Sequence, residues 1–316
     1  MEAALRFQID GPVALVTLNS PQNRNRIDPS AVAELEGALA EAESNPAVRV
    51  IILRAAGNPF SDGMDLSALL RAKGLPDASS PTPLVSTDYP VSATSGAARA
   101  HEAIAGYSRV LRALSDARSP TVCVLDAPVR AGGVGLVAAC DIVLATERAS
   151  LELSEVRFGL IPANVLPYLL RWRMSPQKAR YLVLTARRLS AAEAAGMGLV
   201  DEVCSSETLE KEVRALVKGL LRSSPSAIEA GKRATAEWAD LSRNDAIERA
   251  VALLESLVND PVTQADIAGF ESGDLPPWFA AYKPAIPLAG TPQVPTGLAE
   301  EAESAPTRKQ TDGEEK

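Results

Sequence analysis

Between an apolar stretch at residues 121–126 and an apolar run ending at Cys140-Asp141 stands Arg130-Ala131-Gly132-Gly133-Val134-Gly135. A glycine-rich turn so placed joins a strand to a helix. Gly132 and Gly133 let backbone N–H groups come close to a ligand, and the helix start behind them adds partial positive charge. Such a turn holds either a phosphate or an oxyanion. The flanking pattern predicts the frame around it. Residues 4–10 and 13–19 alternate about Gly11-Pro12 and read as a hairpin. Asp28-Pro29 opens a helix to about Glu43, with Asp28 as N-cap. Residues 48–54 read as a strand buried on both faces, 56–65 as a loop and 97–117 as a helix. Residues 121–126 and 142–145 are further strands, with a helix at 134–139 between them. Strands alternating with helices predict an α/β fold with a largely parallel sheet, whose ligands bind at the carboxyl ends of the strands.

Beyond Pro162 the pattern turns helical, at 165–173, 176–186, 190–196, 207–222, 226–239 and 243–257. Three regions follow: a core over 1–200, a helical lid or oligomerisation region over 201–285, and a disordered acidic tail over 286–316. Residues 72–92, with four prolines and several Ser and Thr, read as a surface excursion.

Composition narrows the function. A net charge of −8 and no basic stripe argue against nucleic-acid partners. The three cysteines lie far apart and read as reduced, buried thiols. A single histidine, His101, excludes a His-built metal cage, and no metal or redox cofactor is expected. No apolar run reaches membrane-spanning length and no signal pattern opens the chain, so a soluble cytoplasmic protein is expected.

Two glycine-bearing loops follow two strands: Asn58-Pro59-Phe60-Ser61-Asp62-Gly63-Met64-Asp65-Leu66 and the Gly132-Gly133 turn. The Lys and Ser/Thr of a phosphate loop are missing, and so is GxGxxG spacing. Two backbone donors converging on one oxygen fit an oxyanion hole, which stabilises an enolate and needs a general base. The candidate base is Glu155, between Leu153 and Phe158, where burial would raise its pKa. The alternative is a surface Glu155 paired with Arg157.

These residues carry a resemblance. Phe60-Ser61-Asp62-Gly63-Met64-Asp65-Leu66 resembles the F-x-x-G-x-D-L of the crotonase (enoyl-CoA hydratase/isomerase) superfamily. Ala131-Gly132-Gly133-Val134-Gly135 through Cys140-Asp141-Ile142 resembles its G-G-G-x-E/G to C-D-I. Phe158-Gly159-Leu160-Ile161-Pro162 and the Gly198-Leu199-Val200-Asp201 step also match, and the likeness runs over roughly residues 4–285. It implies a ββα spiral core and a trimer or hexamer. The substrate it implies is an acyl thioester carried by coenzyme A or by the phosphopantetheine of an acyl-carrier protein. Oxyanion donors would be the amides of Asp62 and Gly132, beside Gly133. Asn25-Arg26-Ile27, Met64 and Asp65 would lie along the thioester arm, and Lys283 would meet the nucleotide.

The departures narrow the reaction. Of the two glutamates that activate water in hydratases, the first falls on Gly135 and the second on Glu155. The chain is similar to the dehydratases of polyketide β-branching, which act on a 3-hydroxy-3-methylglutaryl group held by a carrier protein. Arg130 and Arg157 are candidates for its distal carboxylate, and His101 and Tyr107 could face the acyl pocket. Rival expectations are a double-bond isomerase and a non-catalytic thioester-binding scaffold.

Overall fold

The computed structural model describes residues 3–67, 93–276, 278–279 and 281–289. The expected excursion at 72–92 and residues 290–316 of the expected tail lie outside these. Strand β1 (Leu5–Asp10) turns antiparallel into β2 (Val13–Leu18). Strands β3 (Val50–Ala55), β4 (Thr121–Leu125), β6 (Ile142–Thr146) and β9 (Glu202–Cys204) then add in parallel, in the order β1-β2-β3-β4-β6-β9. All six residues of β2 and of β3 are buried, as a sheet covered on both faces requires.

One face packs on α1 (Pro29–Ser44), α2 (Ala93–Asp116) and α3 (Gly133–Ala139). Asp28 caps α1 by accepting the Ala31 amide at 2.8 Å. The other face, with Val13, Val50 and Val122, packs on Leu209, Val213, Val217 and Leu221. Those four lie on α7 (Leu209–Leu221), which the chain reaches after α4 (Leu166–Tyr168), α5 (Pro176–Thr185) and α6 (Ala191–Met197). The last helices among the described residues are α8 (Pro225–Trp238), α9 (Arg243–Asn259) and α10 (Pro261–Ser272).

Three further strands escaped the periodicity: β5 (Val129–Arg130), β7 (Ser150–Glu152) and β8 (Leu189–Ser190) form a second sheet, ordered β5-β7-β8. The expected boundaries also shift. β9 carries the core sheet past residue 200. The packed chain also runs past 285, since Leu288 and Ala289 are buried. Arg54 donates to the carbonyls of Pro287 and Leu288 at 2.6 and 2.9 Å, and Glu210 accepts the Leu288 and Ala289 amides at 3.0 and 2.6 Å. No described helix is long and apolar enough to cross a membrane.

Candidate functional site

The second sheet sets three loops side by side. Ser61 bridges Val129 in parallel, and Arg130 pairs with Glu152. The Arg130 amide donates to Ser61 at 2.9 Å and the Ala131 amide to Glu152 at 2.8 Å. Each strand then ends, and the residues that follow are free of the ladder. Asp62 and Met64 from the first loop, Ala131 and Gly132 from the second, and Ser154 and Glu155 from the third line one cavity of about 490 Å³.

The first two loops touch backbone to backbone. Gly63 has φ +84°, and a methyl there would lie 2.7 Å from the Gly132 nitrogen and 3.1 Å from that of Gly133. Only glycine tolerates both the angle and the approach. Gly133 is also needed as glycine, because its α-carbon packs on Ser61; it is buried and does not line the cavity. Ser61 locks the loop by donating to the Asn25 carbonyl at 2.7 Å and accepting the Gly63 amide at 3.0 Å.

The expected donor at Asp62 needs correction. Its amide already donates to the Arg24 carbonyl at 3.1 Å, so it is not available to a ligand. Met64 supplies the alternative. Ile27 bridges Met64, with Ile27 N–H bonding Gly63 at 2.8 Å and Asp65 N–H bonding Ile27 at 3.0 Å. That pattern leaves the Met64 amide between them without an acceptor among the described residues. The Gly132 amide is likewise without one, and a methyl on Gly132 would lie 3.4 Å from the Met64 nitrogen. Met64 and Gly132 thus present two neighbouring amides to the cavity.

Glu155 opens a one-turn 3₁₀ helix (Glu155–Phe158) closed by Gly159 at φ +82°. It is only 7% exposed, and its Oε2 is buried with no hydrogen-bond partner among the described residues. Burial raises its pKa, as removal from water disfavours the carboxylate. Arg157 does not pair with it. That guanidinium pairs instead with Glu152 and donates to the Ala186 carbonyl at 2.7 Å. Phe158, expected to shield Glu155, is half-exposed at the cavity wall, whereas Leu153 is buried.

Asp62 turns its carboxylate onto Arg24 and Arg130, the second at 3.3 Å. Glu152, almost fully buried, collects Arg157, Arg188 at 3.3 Å and Arg130 at 3.7 Å. Four guanidiniums therefore answer two carboxylates beside the cavity, and Asp62 brings no uncompensated negative charge to it.

The remaining candidates divide. Arg26 and Asp65 line the cavity; Arg26 is exposed and Asp65 accepts the Ser67 amide at 3.0 Å. Asn25 and Ile27 are buried, and the Asn25 amide group is spent on the Ala56 and Pro59 carbonyls at 2.9 Å each. Arg157, His101 and Lys283 do not line the cavity of this chain. Lys283 is exposed beside Tyr282, which is held on Asp10 at 3.0 Å. Tyr107 does line it, and is fully buried.

The model of the enoyl-CoA hydratase/isomerase family matches residues 8–98 and 87–278. The chain belongs to this family, the crotonase superfamily. It is 28% identical over 249 residues to enoyl-CoA hydratase domain-containing protein 3, mitochondrial, of Danio rerio, covering 78% of each chain. It is 32% identical over 199 residues to the bacillaene synthase dehydratase PksH of Bacillus subtilis, covering 62% of this chain and 66% of that one. The fold superposes on a crystal structure of an enoyl-CoA hydratase/isomerase from Marinobacter aquaeolei with a TM-score of 0.75 at 21% identity, covering 88% of this chain and 99% of the other.

Proposed function

We propose that this crotonase-superfamily chain is an acyl-thioester lyase that works with one carboxyl group, Glu155. The observation that carries the reading is the buried, unpartnered Oε2 of Glu155 in the same cavity as the amides of Met64 and Gly132. The thioester oxygen accepts from those two amides. Glu155 removes the α-proton, and the electron pair of that C–H bond becomes the enolate. The enolate collapses to a double bond as the β C–O bond breaks. Glu155 returns its proton to the departing hydroxyl, which leaves as water, and the carboxylate is regenerated. A raised pKa suits a group that must take and give one proton near neutral pH.

The substrate reading is a 3-hydroxyacyl thioester of the 3-hydroxy-3-methylglutaryl type, carried on an acyl-carrier protein or coenzyme A. The 32% identity to a bacillaene synthase dehydratase supports it. So does Gly135, which offers no second carboxyl group to activate water for addition. Arg130 in the cavity wall, within the cation-rich pairing around Asp62 and Glu152, suits a distal carboxylate. Arg26 suits an anionic carrier arm at the rim. Self-association into a trimer or hexamer is supported by exposed Ile247, Val251, Leu254 and Phe270 on α9 and α10.

Intact-mass spectrometry tests the reaction on 3-hydroxy-3-methylglutaryl-carrier protein and the matching CoA thioester. Loss of one water on either is expected, and the faster carrier names the natural one. No loss on both, with a separately supplied β,γ-unsaturated thioester converted to its conjugated isomer as read by ultraviolet absorbance, would replace the dehydratase by an isomerase. Neither change would leave the scaffold reading.

A further inference from the structure

The sequence places Tyr107 only as a residue that could face the acyl pocket; among the described residues of α2 it is the fully buried one that lines the cavity. Its hydroxyl donates to the Gly132 carbonyl. The same carbonyl accepts the Gly135 amide at 2.8 Å. Two donors on one carbonyl restrict rotation about Gly132, a residue with no side chain to anchor it. The amide of Gly132 is one of the two presented to the cavity, so its aim depends on how that residue is held.

A second observation ties Tyr107 to Gly135. A methyl at 135 would lie 2.9 Å from the Tyr107 hydroxyl, 3.1 Å from Leu111 and 3.2 Å from Val165. The hydroxyl occupies the space in which any side chain at 135 would begin. Burial first, and the nearby Glu155 charge second, disfavour the phenolate, so the group remains a donor while Glu155 exchanges its proton.

We propose that Tyr107 is a positioning residue of this site, which holds the Gly132 amide on the thioester oxygen and requires glycine at 135 to do so. The inference rests on the enolate reading above. Simple core packing would make the hydroxyl dispensable, and phenylalanine would serve as well.

The test uses the full chain and acetoacetyl-pantetheine, the arm common to both carriers. Its enolate absorbs in the near ultraviolet and is favoured by donors to the thioester oxygen. Butyryl-pantetheine, which does not enolise near neutral pH, reports binding without charge development. The wild-type chain should raise the enolate band. Tyr107→Phe should lower the bound enolate-to-keto ratio about fivefold, the worth of one hydrogen bond, while butyryl-pantetheine affinity stays within about twofold. Gly135→Ala should do the same, and the double variant should cost little more than either alone. Melting temperatures accompany each variant, and one that keeps butyryl-pantetheine affinity is folded. A full enolate band in Tyr107→Phe, or equal loss of both ligands, would overturn the positioning role alone. No band in the wild type would overturn the enolate reading and this inference with it.

Discussion

The cavity loops and the last two helices are held in opposite ways. The segments 61–64, 130–133 and 152–155 are tied to one another through their backbones, by Ser61, Asn25 and the β5–β7 register. The Met64 and Gly132 amides and Glu155 Oε2, which have no partner among the described residues, belong to residues that line one cavity. Helices α9 and α10 bury no residue at all, and Phe270 is 75% exposed. In the first region an unsatisfied group is polar and rigidly placed, which suits chemistry. In the second it is apolar and lies on a regular helix, which suits a partner surface.

Glu155→Gln separates the regions most sharply. Turnover should fall about a thousandfold, the usual worth of a general base, while association is untouched. Gly63→Ala comes next. Its methyl would meet the Gly132 nitrogen at 2.7 Å, so turnover should fall about a hundredfold, with about 1 kcal/mol of stability lost to the positive φ. Leu254→Glu, on the exposed face of α9, should reverse this pattern. Sedimentation should show a smaller species, while enolate formation by the cavity changes by less than about threefold when the site is complete within one chain. A much larger loss would mean that a neighbouring chain completes the site.

The smallest effect concerns pH. Burial raises the Glu155 pKa in the folded chain. Its contribution to stability is therefore fully present below the ordinary carboxyl value and is lost as pH rises through the raised one. Glu155→Gln should match the wild type in acid and exceed it by about 1 kcal/mol above that window, because it removes a charge from a buried site. Denaturant titrations at several pH values read this directly. Wild-type turnover should climb through the same window as the base ionises.

Much of this was legible in the residues. Gly63, Gly132 and Glu155 stand in local patterns, and the hairpin, α1, β3 and α3 follow from alternation, an Asp-Pro cap and apolar runs. The rest was not local. β5 and β7 have two and three residues, too few for alternation to show, yet their pairing aligns the loops. Whether Asp62 or Met64 keeps a free amide depends on Arg24 and Ile27, far back in the chain. Arg157 stands two residues from Glu155, but the fold hands it to Glu152. Helix α10 was not expected from the sequence, although Asp260-Pro261 marks its start and Asp260 accepts the Thr263 amide at 2.9 Å. Leu288 and Ala289 sit in Pro-rich sequence, and distant residues hold them, through bonds to Arg54 and Glu210 and packing in the core with Leu209 and Val213.

The central claim is that Glu155 alone carries the proton in both directions. The most direct measurement is the initial rate of water loss from 3-hydroxy-3-methylglutaryl-carrier protein, followed by intact mass, for the wild type and for Glu155→Gln at matched folded concentration. The account predicts steady loss of one water with the wild type and a rate about a thousandfold lower with the variant. Dehydration by Glu155→Gln at the wild-type rate would contradict it.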